Sequence, residues 1–191
     1  AVGSIMPSEI CGDIIAVAPH KGLHAPQGVG LLMFNEKVEL MPLRKGGTGT
    51  MSANLTQPND LPEGLESGTL PLPAIMGLNA AITVYKRSCE KWRKKVETLG
   101  RYAFVKLKRC ATVYTKNPVA GIIAFNVKNY DSAFTCDALG EKGLCLRCGL
   151  HCAPLLHKAY GTIDRGMVRA SVGPDNDFKD IDYLVETIKQ I

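Results

Sequence analysis

Residues 144–154 read Leu-Cys-Leu-Arg-Cys-Gly-Leu-His-Cys-Ala-Pro and gather three of the seven cysteines, an arginine and a histidine in one short stretch. A thiol held beside positive charge gives up its proton more readily, and the thiolate is the nucleophilic form. Cys152, with His151 next to it and Arg147 five residues earlier, is therefore the candidate nucleophile. Its expected place at a turn before a helix adds the positive end of a helix dipole. Cys145 and Cys148, taken alone, read as small core residues. The same cluster, with His151 and His157, has donors that suit zinc or an iron-sulfur group. A second Cys-x-x-Cys knuckle is absent, however, and a strand would turn Cys145 and Cys148 to opposite faces, so no metal is expected.

The second residue able to do chemistry is Lys21. It follows Pro19-His20 and lies between two apolar runs, residues 13–18 and 29–34, with Gly22, Gly28 and Gly30 in the connection. A buried ammonium is costly unless it is paired or reacts with something, which would make this lysine functional. A lysine at a strand end reaching solvent is the plainer alternative, and the residues alone favour it.

The elements that must position these groups follow from periodicity. Residues 13–18 form a nearly continuous apolar run, the pattern of a strand buried on both faces, as in a parallel sheet. Residues 42–73 are rich in Gly, Pro, Thr, Ser and Asn and read as loops, more than a compact domain carries unless they cover a site or an interface. Apolar residues at helical spacing predict helix over 74–110, with breaks expected before Trp92 and at Gly100. Runs at 111–115 and 120–127, split by Asn117-Pro118, predict a hairpin. A short helix opened by Asp131 should follow, then a strand at 144–147, a helix at 153–160 and a strand at 167–172. A final amphipathic helix is expected over 177–189, with Phe178, Ile181, Leu184, Val185 and Ile188 inward. This order predicts an α+β unit on a small antiparallel sheet.

Composition excludes several classes of function. The 191 residues are 46% hydrophobic and 21% charged, which is globular composition. The formal charge is +5, and its basic residues are scattered or lie on one helix (Lys86, Arg87, Lys91, Arg93, Lys94, Lys95) without stacking aromatics, so no nucleic acid partner is expected. No apolar run approaches the roughly 20 residues that span a bilayer, and the first residues lack the pattern of a signal peptide. The odd cysteine count, with Cys11, Cys89, Cys110 and Cys136 isolated, points to a reducing compartment and hence a soluble, cytoplasmic protein. The chain does not begin with Met, which is expected of a processed or truncated polypeptide.

Several separate stretches then resemble the class V aminotransferase family of pyridoxal-phosphate (PLP) enzymes, in the cysteine desulfurase and selenocysteine lyase branch. They are Pro19-His20-Lys21-Gly22-Leu23, Ala25-Pro26-Gln27-Gly28, Gly46-Gly47-Thr48-Gly49, Gln57-Pro58, Glu66-Ser67-Gly68-Thr69, residues 147–154 and Met167-Val168-Arg169-Ala170-Ser171. The resemblance implies the C-terminal half of such an enzyme: an α/β, partial fold-type I architecture. Residues 1–72 would be a remnant of the large PLP-binding domain, 73–110 connecting helices, and 111–191 the small α+β domain.

The resemblance also implies roles. Lys21 matches the lysine that carries PLP and shuttles the substrate proton, with His20 its neighbour. Thr69 resembles the threonine that reaches the cofactor phosphate of a neighbouring subunit, so a homodimer is implied. Arg169 matches the arginine that pairs with the substrate carboxylate, and Arg147 lies near the reactive cysteine. Cys152 matches the cysteine that takes sulfur from L-cysteine as a persulfide, leaving L-alanine, for delivery to a sulfur-acceptor protein. Val17, Ala18 and Pro19 offer no hydroxyl where the family commonly places one, and Pro71 replaces a common Asn. Alternatives are a relative acting on another amino acid, for which Cys152 would be dispensable, and a catalytically inactive fragment or interaction domain.

Overall fold

A computed structural model describes residues 10–191; the residues at the extreme N-terminus, where the signal-peptide pattern was sought, lie outside the described ones. The chain divides into two compact units, Ala1–Ser88 and Cys89–Ile191.

In the first unit, β1 (Ile14–Val17) and β2 (Leu31–Phe34) form a two-stranded antiparallel pair with Ile14 opposite Phe34 and Val17 opposite Leu31. This corrects the expected doubly buried parallel strand. Residues 18–30 connect the two strands through turns, whereas a parallel pair needs a long crossover, usually a helix. Ile14, Leu32 and Met33 are accordingly about half exposed, at 50%, 51% and 48%. The connection is held by bonds from His24 N–H to the Lys21 carbonyl (3.0 Å) and from Ala25 N–H to the Pro19 carbonyl (3.2 Å). Leu23 and Ala25 are buried while His20 and Lys21 are exposed, so the lysine reaches solvent beyond a strand end.

Residues 35–71 carry no helix or strand, as their composition predicts. They are nevertheless cross-linked. The Gln57 side chain accepts from Gly46 N–H (3.0 Å) and donates to the carbonyls of Glu63 (3.2 Å) and Gly64 (2.8 Å), and Gly68 N–H bonds the Gly47 carbonyl (2.8 Å). Three stretches far apart in sequence are thus tied into one loop system.

The helix α1 runs Leu72–Leu107 without interruption, 36 residues, and the boundary between the units falls inside it. The expected breaks do not occur. Pro73 sits in the first turn, where its missing N–H costs nothing. Thr83 and Thr98 turn their hydroxyls back onto the carbonyls of Asn79 and Lys94 (2.9 and 2.8 Å). Gly100 does not break the helix; it admits a close neighbour. A Cβ there would strike the Pro118 carbonyl and stand 3.2 Å from the Gly121 Cα. Gly77 does the same for the Pro26 ring just beyond the Lys21 turn.

The second unit holds a three-stranded antiparallel sheet in the order β3 (Thr112–Val113), β4 (Ile122–Asn126), β5 (Val168–Ser171). The expected hairpin is β3–β4. The expected strand at 144–147 reduces to one bridge, Arg147 to Arg169 on β5. Gly149 at φ +93°, then His151 and Cys152 at φ 52° and 59°, turn the chain off the sheet edge before a strand can extend. Against the sheet pack α2 (Ser132–Gly140) and α4 (Phe178–Ile188), while the short α3 (Pro154–Ala159) follows the Cys152 turn. Asp131 caps α2 through Phe134 N–H, as expected, and Asp177 with Asp180 makes a capping box on α4.

The alternation of β4 and β5 sends Ile123, Phe125, Val168 and Ala170 to one face. There they join Leu99, Ala103 and Leu107 of α1, Leu139 of α2 and Ile181, Leu184, Val185 and Ile188 of α4. Phe178, expected inward, is 47% exposed and meets Tyr102 edge to face at 4.9 Å.

Candidate active site

The same alternation that buries Val168 and Ala170 turns Arg169 to the other face of the sheet. Arg147 stands directly opposite it. The two exchange both backbone bonds, Arg147 N–H to the Arg169 carbonyl at 3.2 Å and the reverse at 2.7 Å. Like charges directly opposite each other in an antiparallel pair are destabilising, so two facing arginines are a cost unless an anion joins them. The Nε of Arg169 is buried and has no hydrogen-bond partner among the described residues. A buried donor left unpaired is expensive, and an incoming carboxylate would satisfy it.

Cys152 is placed beside this pair by its backbone. His151 and Cys152 both adopt left-handed conformations, rare for residues with a side chain and costing on the order of 1 kcal/mol each. The turn they form leaves Cys152 exposed, with Arg147 Nη2 donating to its Sγ at 3.8 Å. His151 Nε2–H donates to the Arg147 carbonyl at 3.1 Å, which fixes the tautomer and locks the turn back onto the arginine. Burial lowers the His151 imidazole pKa below the ordinary histidine range. Arg169, His157 and Arg147 push the same way, and the bond to the Arg147 carbonyl opposes them. His157 is buried, with Nδ1 3.0 Å from the Thr162 hydroxyl.

Cys145 and Cys148 are exposed, which corrects their reading as core residues: with no strand at 144–147, they lie on a loop rather than in a sheet. Among the described residues no group of three or more His, Cys, Asp or Glu is arranged to hold a metal.

Three residues missed by the sequence reading complete the site. Gly149 N–H bonds the Ser132 hydroxyl (3.2 Å), and its carbonyl accepts from Met167 N–H (3.1 Å). Gly166, at φ +64°, has no room for a Cβ: it would strike the Ser132 hydroxyl and lie 2.9 Å from the Gly149 Cα. The only sequence signal for this three-way junction was the glycines themselves.

The other candidates lie in the first unit. Lys21 and His20 are exposed on the turn after β1, and Thr69 is exposed directly after Gly68, whose N–H is tied to the Gly47 carbonyl. A cleft of about 1280 Å³ opens along the loop system, lined by Gly46, Gly47, Thr48, Thr50 and Gln57 among others; Lys21 and Cys152 do not line it. An exposed primary amine is open to an aldehyde, and the exposed Thr50 and Thr69 hydroxyls with glycine N–H groups suit a phosphate. The donor set of this unit therefore fits PLP. The structure thus brings Arg147, Arg169 and Cys152 together in one unit and holds Lys21, His20 and Thr69 in the other.

Comparison with known proteins matches the aminotransferase class-V family over residues 4–184. A cysteine desulfurase of Salmonella agona (strain SL483) is 32% identical over 187 residues, 94% of this chain and 45% of that protein. The cysteine desulfurase CsdA (S-sulfonic acid) of Escherichia coli superposes with a TM-score of 0.82 at 25% identity, covering 93% of this chain and 45% of that one. A C-DES mutant with glycine covalently linked to its PLP cofactor shares the fold, with a TM-score of 0.73 at 20% identity over 98% of this chain and 49% of that one. The chain thus spans somewhat less than half the length of the curated relatives it matches, and over that length it has their fold-type I α/β architecture.

Proposed function

This chain belongs to the aminotransferase class-V family, and from that premise we propose that it acts as a PLP-dependent cysteine desulfurase, taking the sulfur of L-cysteine onto Cys152 and releasing L-alanine. The observation that carries the proposal is the facing pair Arg147 and Arg169, in which Arg169 has an unpaired buried Nε and Arg147 Nη2 lies 3.8 Å from the Cys152 thiol. A substrate bearing a carboxylate and a sulfur fits both halves of that arrangement.

In this reading Arg169 binds the α-carboxylate and so orients the substrate sulfur toward Cys152. Arg147 donates to the Cys152 sulfur, and His151 holds the turn in place. The Cys152 sulfur forms a sulfur–sulfur bond as the carbon–sulfur bond of cysteine breaks; the persulfide stays on Cys152 and a proton taken up at carbon gives alanine. Lys21 and His20 would hold PLP, Thr69 would reach the cofactor phosphate of a neighbouring subunit, and Lys21 Nζ would carry the proton to and from Cα. When bound, the cofactor supplies the electron sink that lets the carbon–sulfur bond break.

A homodimer belongs to the proposal and is supported by Met41, Leu43 and Leu55, which are 92%, 97% and 104% exposed on the long loops. A cytoplasmic location is supported by seven free thiols. A sulfur-acceptor protein would meet the exposed Cys152.

Two measurements test the proposal. Borohydride reduction after incubation with PLP, followed by peptide mass spectrometry, should place one stoichiometric pyridoxyl group on Lys21; adducts spread over surface lysines would refute a specific cofactor site. Incubation with L-cysteine and PLP should then add one sulfur atom to Cys152 and release alanine, and neither should occur in Cys152→Ala. Alanine release that survives this substitution would point instead to a family member for which Cys152 is dispensable.

A further inference from the structure

A second thiol chemistry is built beside the Cys152 turn. Ser132, at the start of α2, accepts from Gly149 N–H at 3.2 Å. Cys136 lies one helical turn beyond Ser132, on the same face, and Cys148 immediately precedes Gly149. That bond therefore brings the Cys136 segment of α2 beside Cys148, close enough that Cys148 acts on the Cys136 thiol. The backbone of Cys148 is pinned on both flanks, by the paired bonds of Arg147 with Arg169 and by those of Gly149 with Ser132 and Met167. The junction thus holds the backbone of Cys148 beside α2.

We propose that Cys136 and Cys148 are a redox-active thiol pair that closes to a reversible disulfide on exposure to a peroxide, tying the turn that carries Cys152 to α2. The two thiols differ in the way such a pair requires. Cys148 is exposed and meets the oxidant first. Cys136 is half-buried, and burial with the adjacent Cys148 pushes its thiol up to about 12, so it stays protonated until it has a partner to attack. The Cys148 sulfur attacks one peroxide oxygen, the oxygen–oxygen bond breaks, and water leaves a sulfenic acid on Cys148. The Cys136 sulfur then attacks that sulfur, the sulfur–oxygen bond breaks, and the departing hydroxide takes the Cys136 proton as a second water. Two thiols and one peroxide thus give one disulfide and two waters. No cofactor takes part, so the pair stands or falls independently of the desulfurase proposal.

The test is brief treatment of the full chain with hydrogen peroxide, blocking of free thiols, and non-reducing peptide mapping. Trypsin cleaves after Arg147 and so separates Cys145 from Cys148, and fragmentation distinguishes Cys148 from Cys152 within residues 148–158. A Cys136–Cys148 link is expected, reversed by dithiothreitol and absent from Cys136→Ser and Cys148→Ser. In Cys136→Ser the sulfenic acid on Cys148 should persist and be trapped by dimedone; because Cys148 is exposed, Cys148→Ser provides the second variant should the first unfold. A disulfide joining Cys148 to Cys152 or to Cys145, or only links between chains, would overturn the proposal.

Discussion

Arg147 and Arg169 stand opposite each other for no structural gain, since the bridge between them is made by backbone and their charges repel. Their combined field should act on any reagent that approaches Cys152, whether or not a cofactor is bound. Iodoacetate, an anion, should therefore alkylate Cys152 faster relative to neutral iodoacetamide than it does an isolated thiol. Arg169→Gln should lower that ratio roughly fivefold, the equivalent of about 1 kcal/mol for a unit charge near the surface. The preference should also shrink in high salt, and a ratio unmoved by both changes would show that the pair does not act on anions. His151 adds a pH dependence. Its folded pKa lies below the unfolded value of about 6.5, so the unfolded chain binds its proton first. The stability it contributes is present above that value and is lost as pH falls through the lowered one. Denaturation midpoints should decline on acidification from about pH 6.5, and less so in His151→Asn. Asp180 and Asp182, whose carboxyls are held low by hydrogen bonds from Asn176 and Lys106 respectively, lose their contribution only at still lower pH. Cys152, Arg147 and Arg169 could be named as candidates because they fall in recognisable motifs, and the structure sets them together. Ser132, Gly149 and Gly166 were not, because a hydroxyl and two missing side chains acquire meaning only where three segments meet.

At the scale of elements, Gly100 of α1 inverts a general rule. Replacing an interior helix glycine with alanine ordinarily stabilises by about 1 kcal/mol. Gly100→Ala should instead destabilise by about 1–3 kcal/mol, because the new Cβ would enter the space of the Pro118 carbonyl. Urea denaturation decides the sign. The capping box of α4 gives a simpler case: Asp177→Ala removes the acceptor for Lys179 and Asp180 N–H and should cost about 1 kcal/mol in the same measurement. The capped helices were readable because Asp131 and Asp177 precede their first turns. The continuity of α1 was not, since glycine weakens a helix locally while a neighbouring backbone can require it.

At the scale of the molecule, burial is uneven between the two units. The large apolar cluster draws all its members from the second unit, whereas in the first the buried apolar residues are Val17, Pro19, Leu23, Ala25, Leu78 and Tyr85 among the described ones. Hydrogen exchange should therefore find the slowest amides in β4, β5 and α4 and markedly faster exchange in β1 and β2. Equal protection would contradict this division. By itself the sequence determined the family, the hairpin and the capped helices, and it named the candidate reactive side chains, because motif spacing, β-formers and caps act within a few residues. Only the tertiary structure decided the rest. It set β1 and β2 antiparallel and exposed, and it reduced the strand at 144–147 to one bridge. It also set two arginines face to face and brought the Gly149 turn against Ser132 of α2. Those outcomes depend on which segments meet, and a pairing between distant backbone groups leaves no periodic trace in either segment.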